Sequence, residues 1–266
     1  MISLINLLNE GRDEPKAVIL AGAPGAGKGY VLSGLDLSDL KIMNIDNIFI
    51  NKLKAANVTL DLKNATPEER SEQAKAMAAS NKEFKGELQN VIAGKESFIL
   101  DGTAASFKQT SILKTQLEEA GYKVAMLYVY TDLERSLKQN QDRFEKSDGE
   151  DRSLAPAIVL RTWKSVTDNL DPYFDLFSPN FIAVANTLEG EKIADVEDII
   201  KKYLDPFKPT GTKEKTPAQI KKSEEQKSEL NAAIQTMLSS DFNDEVLQSM
   251  LSKEEAQMRI AQFLNS

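Results

Sequence analysis

The sequence predicts an open α/β fold, in which a parallel sheet of about five strands carries helices on both faces and a helical C-terminal appendage follows. Two observations support this fold class. Apolar runs of strand length alternate with segments of helical periodicity, and a glycine-rich loop at residues 22–28 directly follows the first run. The predicted strands are residues 16–21, 41–45, 97–100, 123–130 and 181–185.

The predicted helices begin and end at capping residues. Thr66-Pro67-Glu68-Glu69 combines an N-cap, a proline at the first helical position and acids in the first turn, so a helix begins there and runs to about residue 93. Gly121 ends the helix that begins at Phe107. Further helices are expected over 46–54, 132–146, 156–170 and 191–203, with a short amphipathic segment over 1–9.

The C-terminal part of the chain is expected to be separate. Prolines, a glycine and lysines over 205–216 predict a linker between a domain at 1–204 and a helical appendage at 217–266. Val246, Leu247, Met250 and Leu251 indicate a surface for self-association or a protein partner. The alternative is a small bundle packed on the core. On the first interpretation, a chain that ends near Lys208 folds by itself.

Composition excludes several function classes. The chain has 266 residues, of which 41% are hydrophobic, enough for a sizeable core. A net charge of −8 argues against general binding of nucleic acid. Nucleic acid is then expected only as a substrate whose end is phosphorylated. The absence of Cys and His excludes disulfides, Ser-His-Asp chemistry and zinc sites of the usual ligands, so Asp, Glu, Lys or Tyr must carry acid–base work. Without a long apolar run or a signal peptide, we expect a cytoplasmic protein without a membrane partner.

The glycine-rich segment has the spacing of a Walker A phosphate loop. It reads Gly22-Ala23-Pro24-Gly25-Ala26-Gly27-Lys28, between a predicted strand and a predicted helix. Its glycines allow successive N–H groups to face one anion, and Lys28 can reach the outer phosphates. The segment therefore predicts a kinase-type loop that binds ATP with Mg²⁺. The alternative is a plain turn that joins strand to helix.

The two residues after Lys28 depart from the usual motif. Gly29 stands where a Ser or Thr hydroxyl would bind Mg²⁺, and Tyr30 follows it. In this respect the loop resembles that of the adenylate kinase group of P-loop kinases, G-x-P-G-x-G-K-G, where the next residue is usually Thr. Gly29 and Tyr30 are still expected to contact the nucleotide. The metal is expected to be held through water and acidic side chains.

Polar residues follow the second and third predicted strands. Asp46 is expected to act as the base or as a substrate contact, the alternative being an N-cap for the following helix. Asp101 ends an apolar run and is placed to contact Mg²⁺ through water, the alternative being a turn residue before Gly102. Thr103 is a candidate substrate hydroxyl contact. Carboxyl ends of parallel strands share one edge, so these residues are expected to meet.

Two arginines flank the polar loop at 146–151, which we call the lid. Arg143 precedes it and Arg152 follows it. Arginines on a mobile lid can close on a transferring phosphate and exclude water. The alternative is an exposed charged face, with Arg143 complementing the dipole of its helix.

Together these segments resemble the zeta-toxin and polynucleotide-kinase branch of P-loop kinases, over roughly residues 16–203. The similarity rests on the phosphate loop, Ile45-Asp46, Asp101-Gly102-Thr103, Asn140-x-x-Arg143 and the stretch 161–173. It implies that Asp46 activates an acceptor hydroxyl and that Arg143 and Arg152 bind phosphates.

The predicted function is an ATP-dependent phosphotransferase that acts on a hydroxyl of a nucleotide, a nucleotide-sugar or a polynucleotide end. Two alternatives stay open. A nucleoside monophosphate kinase would transfer to a phosphate and need no base. A non-catalytic nucleotide-binding assembly protein would bind a partner without turnover.

Overall fold

The computed structural model describes residues 14–33, 35, 37, 40–62, 64–147, 151–186 and 249–265. The segments predicted at 1–9 and 191–203, the linker at 205–216 and most of the 217–266 segment lie outside these residues, and the domain boundaries stay a prediction.

Six strands and eight helices make up the described part of the chain. The strands are β1 (Lys16–Ala21), β2 (Lys41–Met43), β3 (Phe98–Leu100), β4 (Lys123–Tyr130), β5 (Phe181–Ala185) and β6 (Met250–Leu251). The helices are α1 (Lys28–Leu32), α2 (Ile45–Ala55), α3 (Pro67–Gly94), α4 (Phe107–Glu119), α5 (Leu133–Lys146), α6 (Pro156–Asp168), α7 (Leu170–Phe177) and α8 (Lys253–Asn265). None of these helices is long and apolar enough to cross a membrane.

The strands form one parallel sheet in the order β2-β3-β1-β4-β5-β6. Strand β1 lies in the middle and is buried throughout, with Ile19 in register with Leu100 on one side and Met126 on the other. All six strands therefore end at one edge of the sheet. The predicted parallel α/β fold is confirmed, with one strand more than expected.

Alternating side chains of β1 divide the core into two layers. Val18 and Leu20 pack with buried residues of α1, α5, α6 and α8, whereas Ile19 packs with those of α3, α4 and α7. Because the strand is apolar on both faces, it must be covered by helices on both, as parallel sheets require. The predicted arrangement of helices on the two faces is confirmed.

The junction of β2 and α2 differs from the prediction. The strand ends at Met43, and Asn44 is the N-cap of α2, its Oδ1 accepting a hydrogen bond from Asp46 N at 2.7 Å. The alternative interpretation of Asp46 as the cap is therefore wrong, and its carboxylate is left for other contacts. Thr66 does cap α3, in a capping box with Glu69.

The end of the chain is built into the core. Strand β6 extends the sheet beside β5, and Ala256 and Ile260 of α8 are completely buried. Gln257 Nε2 also donates to the carbonyl oxygens of Val31 at 2.9 Å and Ser33 at 2.8 Å. The sheet and its helical cover are thus not complete before residue 205.

Two of the four apolar residues predicted to form a docking surface lie in the described part of the chain, and the surface itself stays a prediction. Met250 and Leu251 form β6 and pack against the two core layers. Both side chains are half-buried on the edge strand of the sheet. Val246 and Leu247 lie outside the described residues.

We expect Ile260→Ala to lower the free energy of unfolding by about 2–5 kcal/mol, because it leaves a cavity under a fully buried side chain. Met258→Ala on the same helix is the matched control, since Met258 is 60% exposed. Its effect should stay within about 0.5 kcal/mol. Denaturant unfolding of both variants measures the difference, and equal small losses would show that α8 is not part of the core.

Candidate active site

The phosphate loop, residues 22–27, joins β1 to α1, which begins at Lys28 as predicted. Gly25 and Gly27 adopt left-handed backbone conformations, with φ of 77° and 85°. A Cβ atom on Gly25 would also lie 2.7 Å from the carbonyl oxygen of Ser136. Both conformation and space therefore require glycine at Gly25.

Carbonyl oxygens of this loop are held by side chains. The hydrogen bonds run from Lys28 Nζ to Gly22 O (2.9 Å), from Ser136 Oγ to Pro24 O (2.6 Å) and from Asn186 Nδ2 to Ala26 O (2.8 Å). These bonds hold alternate carbonyls of the loop. Two loop N–H groups are also engaged, Gly22 N by Thr103 O and Ala26 N by Ala23 O, and the other N–H groups of the loop and the first-turn donors of α1 are left for an anion. The loop is thus preorganised for phosphate.

Ser136 and Asn186 were not identified from the sequence. Ser136 lies in α5 and Asn186 directly follows β5, 112 and 160 residues from the loop atoms that they bind. No local motif marks such residues, because only the tertiary fold brings them to the loop. Asn186 could have been suspected only because it is a polar residue that directly follows a predicted parallel strand, where site residues are expected.

Charged groups from three elements surround Lys28. Burial lowers the pKa of Lys28 from 10.5 to about 8; the carboxylates of Asp101 and Asp46 act to raise it and the Arg143 guanidinium acts to lower it. The ammonium therefore lies within electrostatic reach of all three. The predicted meeting of these side chains at the edge of the sheet agrees with this arrangement.

The lowered pKa of Lys28 predicts a pH dependence of anion binding. A bound phosphate favours the charged ammonium, so binding raises this pKa and takes up a proton wherever the free amine is neutral. Affinity for ATP should accordingly fall as pH rises through about 8, with uptake approaching about one proton per ATP above it. Calorimetric titration in two buffers of different ionisation enthalpy counts these protons, and zero uptake above that pH would contradict the burial of Lys28.

Asp46 is paired with the arginine that follows the lid. In the first turn of α2, its Oδ2 accepts a charged hydrogen bond from Arg152 Nη2. The backbone beside Arg152 is anchored, since Ser153 N donates to Leu60 O at 3.1 Å. Arg152 is thereby held against Asp46 with its side chain only 18% exposed.

Arg143 occupies a different environment. It lies in the last turn of α5 and contacts Asp151, with 3.5 Å between Nε and Oδ2, while its side chain is 59% exposed. The two lid arginines therefore differ: Arg152 is positioned on Asp46, and Arg143 stays at the surface within electrostatic reach of Lys28. Residues 148–150 of the lid lie outside the description.

The loop after β3 lies against the phosphate loop. Asp101 Oδ2 accepts from Asn44 Nδ2 at 2.7 Å, which fixes the carboxylate between β2 and β3. Gly22 N donates to the Thr103 carbonyl oxygen at 3.1 Å. Asp101 and Thr103 thus adjoin the start of the phosphate loop, and for Thr103 it is the backbone that makes this contact.

The residues present fit a magnesium ion held mainly by phosphate. In the ranges described, no three Asp, Glu, His or Cys residues form a group that could hold a metal. Mg²⁺, however, keeps several waters and binds substrate phosphates with one or two carboxylates, a role open to Asp101 through water. A Cβ on Gly29 would meet nothing within 4 Å, so the place of the usual hydroxyl side chain is open. When bound, the ion would neutralise charge on the phosphates.

Comparisons with known proteins identify a family and structures with a similar fold. The family model described as Zeta toxin matches residues 5–187. Among solved structures, the AvrRxo1-ORF1:AvrRxo1-ORF2 complex with sulphate ions is 16% identical, covering 95% of this chain and 81% of its own, with a TM-score of 0.51. The same pair with ATP is 15% identical over 97% and 82% of the two chains, with a TM-score of 0.49.

A structure from the PezAT chromosomal toxin-antitoxin system of Streptococcus pneumoniae is 12% identical, covering 89% of this chain and 94% of its own, with a TM-score of 0.47. No curated protein sequence matches the chain. The likeness to the complex with sulphate ions, at 16% identity and a TM-score of 0.51, shows a shared fold and no more.

Proposed function

The chain belongs to the zeta toxin family, and we propose that it is a kinase that transfers the γ-phosphoryl group of ATP, as its magnesium complex, to a hydroxyl group. The observation that carries this proposal is the placement of Lys28 in a preorganised phosphate loop, within electrostatic reach of the carboxylates of Asp46 and Asp101. The acceptor classes that we propose are a nucleotide, a nucleotide-sugar and a polynucleotide end.

In the proposed reaction, the acceptor oxygen forms a bond to the γ-phosphorus atom. The bond from that phosphorus to the oxygen bridging it to the β-phosphate breaks, and ADP leaves. The hydroxyl proton passes to the carboxylate of Asp46, which lies on the β2 side of the phosphate loop. Lys28 and the loop N–H groups stabilise the charge on the phosphates.

Arg152 has two anionic partners in this scheme. Without a nucleotide it neutralises Asp46, whose side chain is still 41% exposed. The transferring phosphoryl group offers a second anion beside the phosphate loop, and contact with it would release the Asp46 carboxylate to accept the proton. Arg143 would approach the same phosphates from the exposed end of α5.

We expect Arg152→Gln to lower kcat by about 10²-fold while raising KM less, because the guanidinium stabilises charge that develops during transfer. Arg143→Gln should act in the same direction. Lys146→Gln is the control for a lid cation, since the Lys146 side chain is 77% exposed and pairs with Asp142. Steady-state kinetics of the three variants measure these effects. An unchanged kcat in Arg152→Gln would show that this arginine does not stabilise the transferring phosphoryl group.

Acceptor class is tested by following ADP release with a panel of nucleotide-sugars, nucleosides, oligonucleotides with free 5′-hydroxyl ends and nucleoside monophosphates. Stimulation by one of the hydroxyl acceptors supports the proposal. Stimulation by monophosphates alone would identify a nucleoside monophosphate kinase. ATP binding without ADP release in any mixture would favour the non-catalytic alternative.

A further inference from the structure

Tyr30 is an aromatic side chain displayed at the rim of the phosphate loop. It lies in the first turn of α1, two residues after Lys28, and is 62% exposed, more than any other large apolar side chain in the described part of the chain. The ammonium of Lys253 lies 3.8 Å from the centre of its ring. Such a distance is well within the range of a cation–π interaction. The ring is therefore oriented while most of its surface stays in solvent.

The C-terminal helix fixes this pair. Lys253 is the first residue of α8, and Gln257, one turn further, donates to the backbone of Val31 and Ser33 at the end of α1. Ile260, almost one turn later, is fully buried in the core. Helix α8 thus anchors both Lys253 and the short helix that carries Tyr30. A solvent-exposed aromatic residue held in this way is preorganised to bind a ligand.

The order of the strands indicates which part of a nucleotide would meet it. Asp46 and Asp101 follow β2 and β3, on one side of the central strand β1, whereas Asn186 and Lys253 follow β5 and β6 on the other side. Phosphoryl transfer takes place next to the base, hence on the Asp46 side. A nucleotide whose phosphates cross the loop then has its nucleoside on the side of β5 and β6. That is the side of Lys253, whose ammonium lies over the Tyr30 ring.

We propose that the Tyr30 ring, supported by Lys253 from the C-terminal helix, is the platform on which the nucleobase of the donor nucleotide stacks. This inference rests on the proposed function, because it takes the ligand to be a nucleoside triphosphate. Stacking uses the face of the base and not its hydrogen-bonding edge, so the platform adds affinity for different bases alike. It also gives a role to the tyrosine that replaces the usual small hydroxyl residue at this position.

The test compares the binding of ATP, GTP and inorganic tripolyphosphate to the full chain by calorimetry. Tyr30→Ala should weaken ATP and GTP binding by roughly 5- to 100-fold and leave tripolyphosphate binding unchanged, since only the nucleotides have a base. Tyr30→Trp should restore nucleotide affinity. Lys253→Met keeps the apolar stem and removes the charge. It should weaken ATP and GTP binding less than Tyr30→Ala does, and should also leave tripolyphosphate binding unchanged. Met258→Ala, an exposed substitution on the same helix, is the control that should bind all three ligands as the wild type does.

Two results would overturn the platform while leaving the proposed function in place. One is equal weakening of ATP and tripolyphosphate by Tyr30→Ala, which would show an effect on the phosphate loop. The other is unchanged ATP affinity in that variant, with wild-type melting temperature. Failure of the wild type to bind ATP or tripolyphosphate would instead contradict the proposed function, and the platform with it.

Discussion

Lys28→Ala is expected to reduce phosphoryl transfer by about 10³-fold or more and to leave the fold intact. Lys28 directly follows the phosphate loop, and its ammonium donates to the carbonyl oxygen of Gly22 at 2.9 Å. Its removal deletes a charged hydrogen bond to the outer phosphates that strengthens as charge develops. ATP affinity should also fall, since the contact exists before transfer.

The loss of activity in Lys28→Ala should not be accompanied by a loss of stability. Burial lowers the pKa of Lys28 to about 8, which means that the folded protein disfavours the ammonium relative to water. Replacing it by alanine removes that unfavourable desolvation, so the melting temperature should stay level or rise. Lys146→Ala, an exposed change on α5, is the control for both readouts. Equal ATP turnover in Lys28→Ala and the wild type would remove the phosphate loop from the reaction.

Asp46→Asn is expected to lower kcat by about 10²-fold or more with nearly unchanged KM for ATP, in the range of general-base contributions. The substitution keeps the shape of the side chain and removes its ability to accept a proton. It does not disturb the start of α2, because Asn44 is the cap. The hydrogen bond from Arg152 can persist to the amide oxygen, so the lid anchor is retained although its charge pairing is lost.

Asp142→Asn is the matched control, since it removes a carboxylate from a surface pair with Lys146 and from no part of the site. Its kcat should equal that of the wild type. If kcat survives in Asp46→Asn as well, Asp46 is not the base. The acceptor would then be a phosphate group, which needs no proton acceptor, or a different residue would take the proton.

The parts of this site that depend on neighbouring residues were predicted correctly from the sequence. The loop at residues 22–28 is defined by glycines and a lysine at fixed spacing, and its neighbours along the chain form the strand and helix that the motif requires. Asp101 followed an apolar run, which is a strand in the structure. These predictions depended on residues a few positions apart, where local conformation decides the outcome.

The contacts that complete the site join distant parts of the chain. The pairing of Arg152 with Asp46 spans 106 residues, and Gln257 reaches Val31 across 226. Strand β6 has two residues, too few for any periodicity to reveal it. Helix α8 lies in the segment that the linker composition at 205–216 predicted to be an appendage, but Ala256 and Ile260 are buried in the core and the helix packs against β5 and α1. Such features depend on tertiary packing.

The reaction itself is tested most directly by phosphorus NMR of the product formed from ATP and the acceptor that stimulates ADP release. Transfer to a hydroxyl with Asp46 as the base predicts a new phosphate-ester resonance that grows with ADP, is present in the Asp142→Asn reaction and is strongly reduced in Asp46→Asn. A phosphoanhydride resonance, or inorganic phosphate as the sole product, would contradict the assignment of this protein as a hydroxyl kinase.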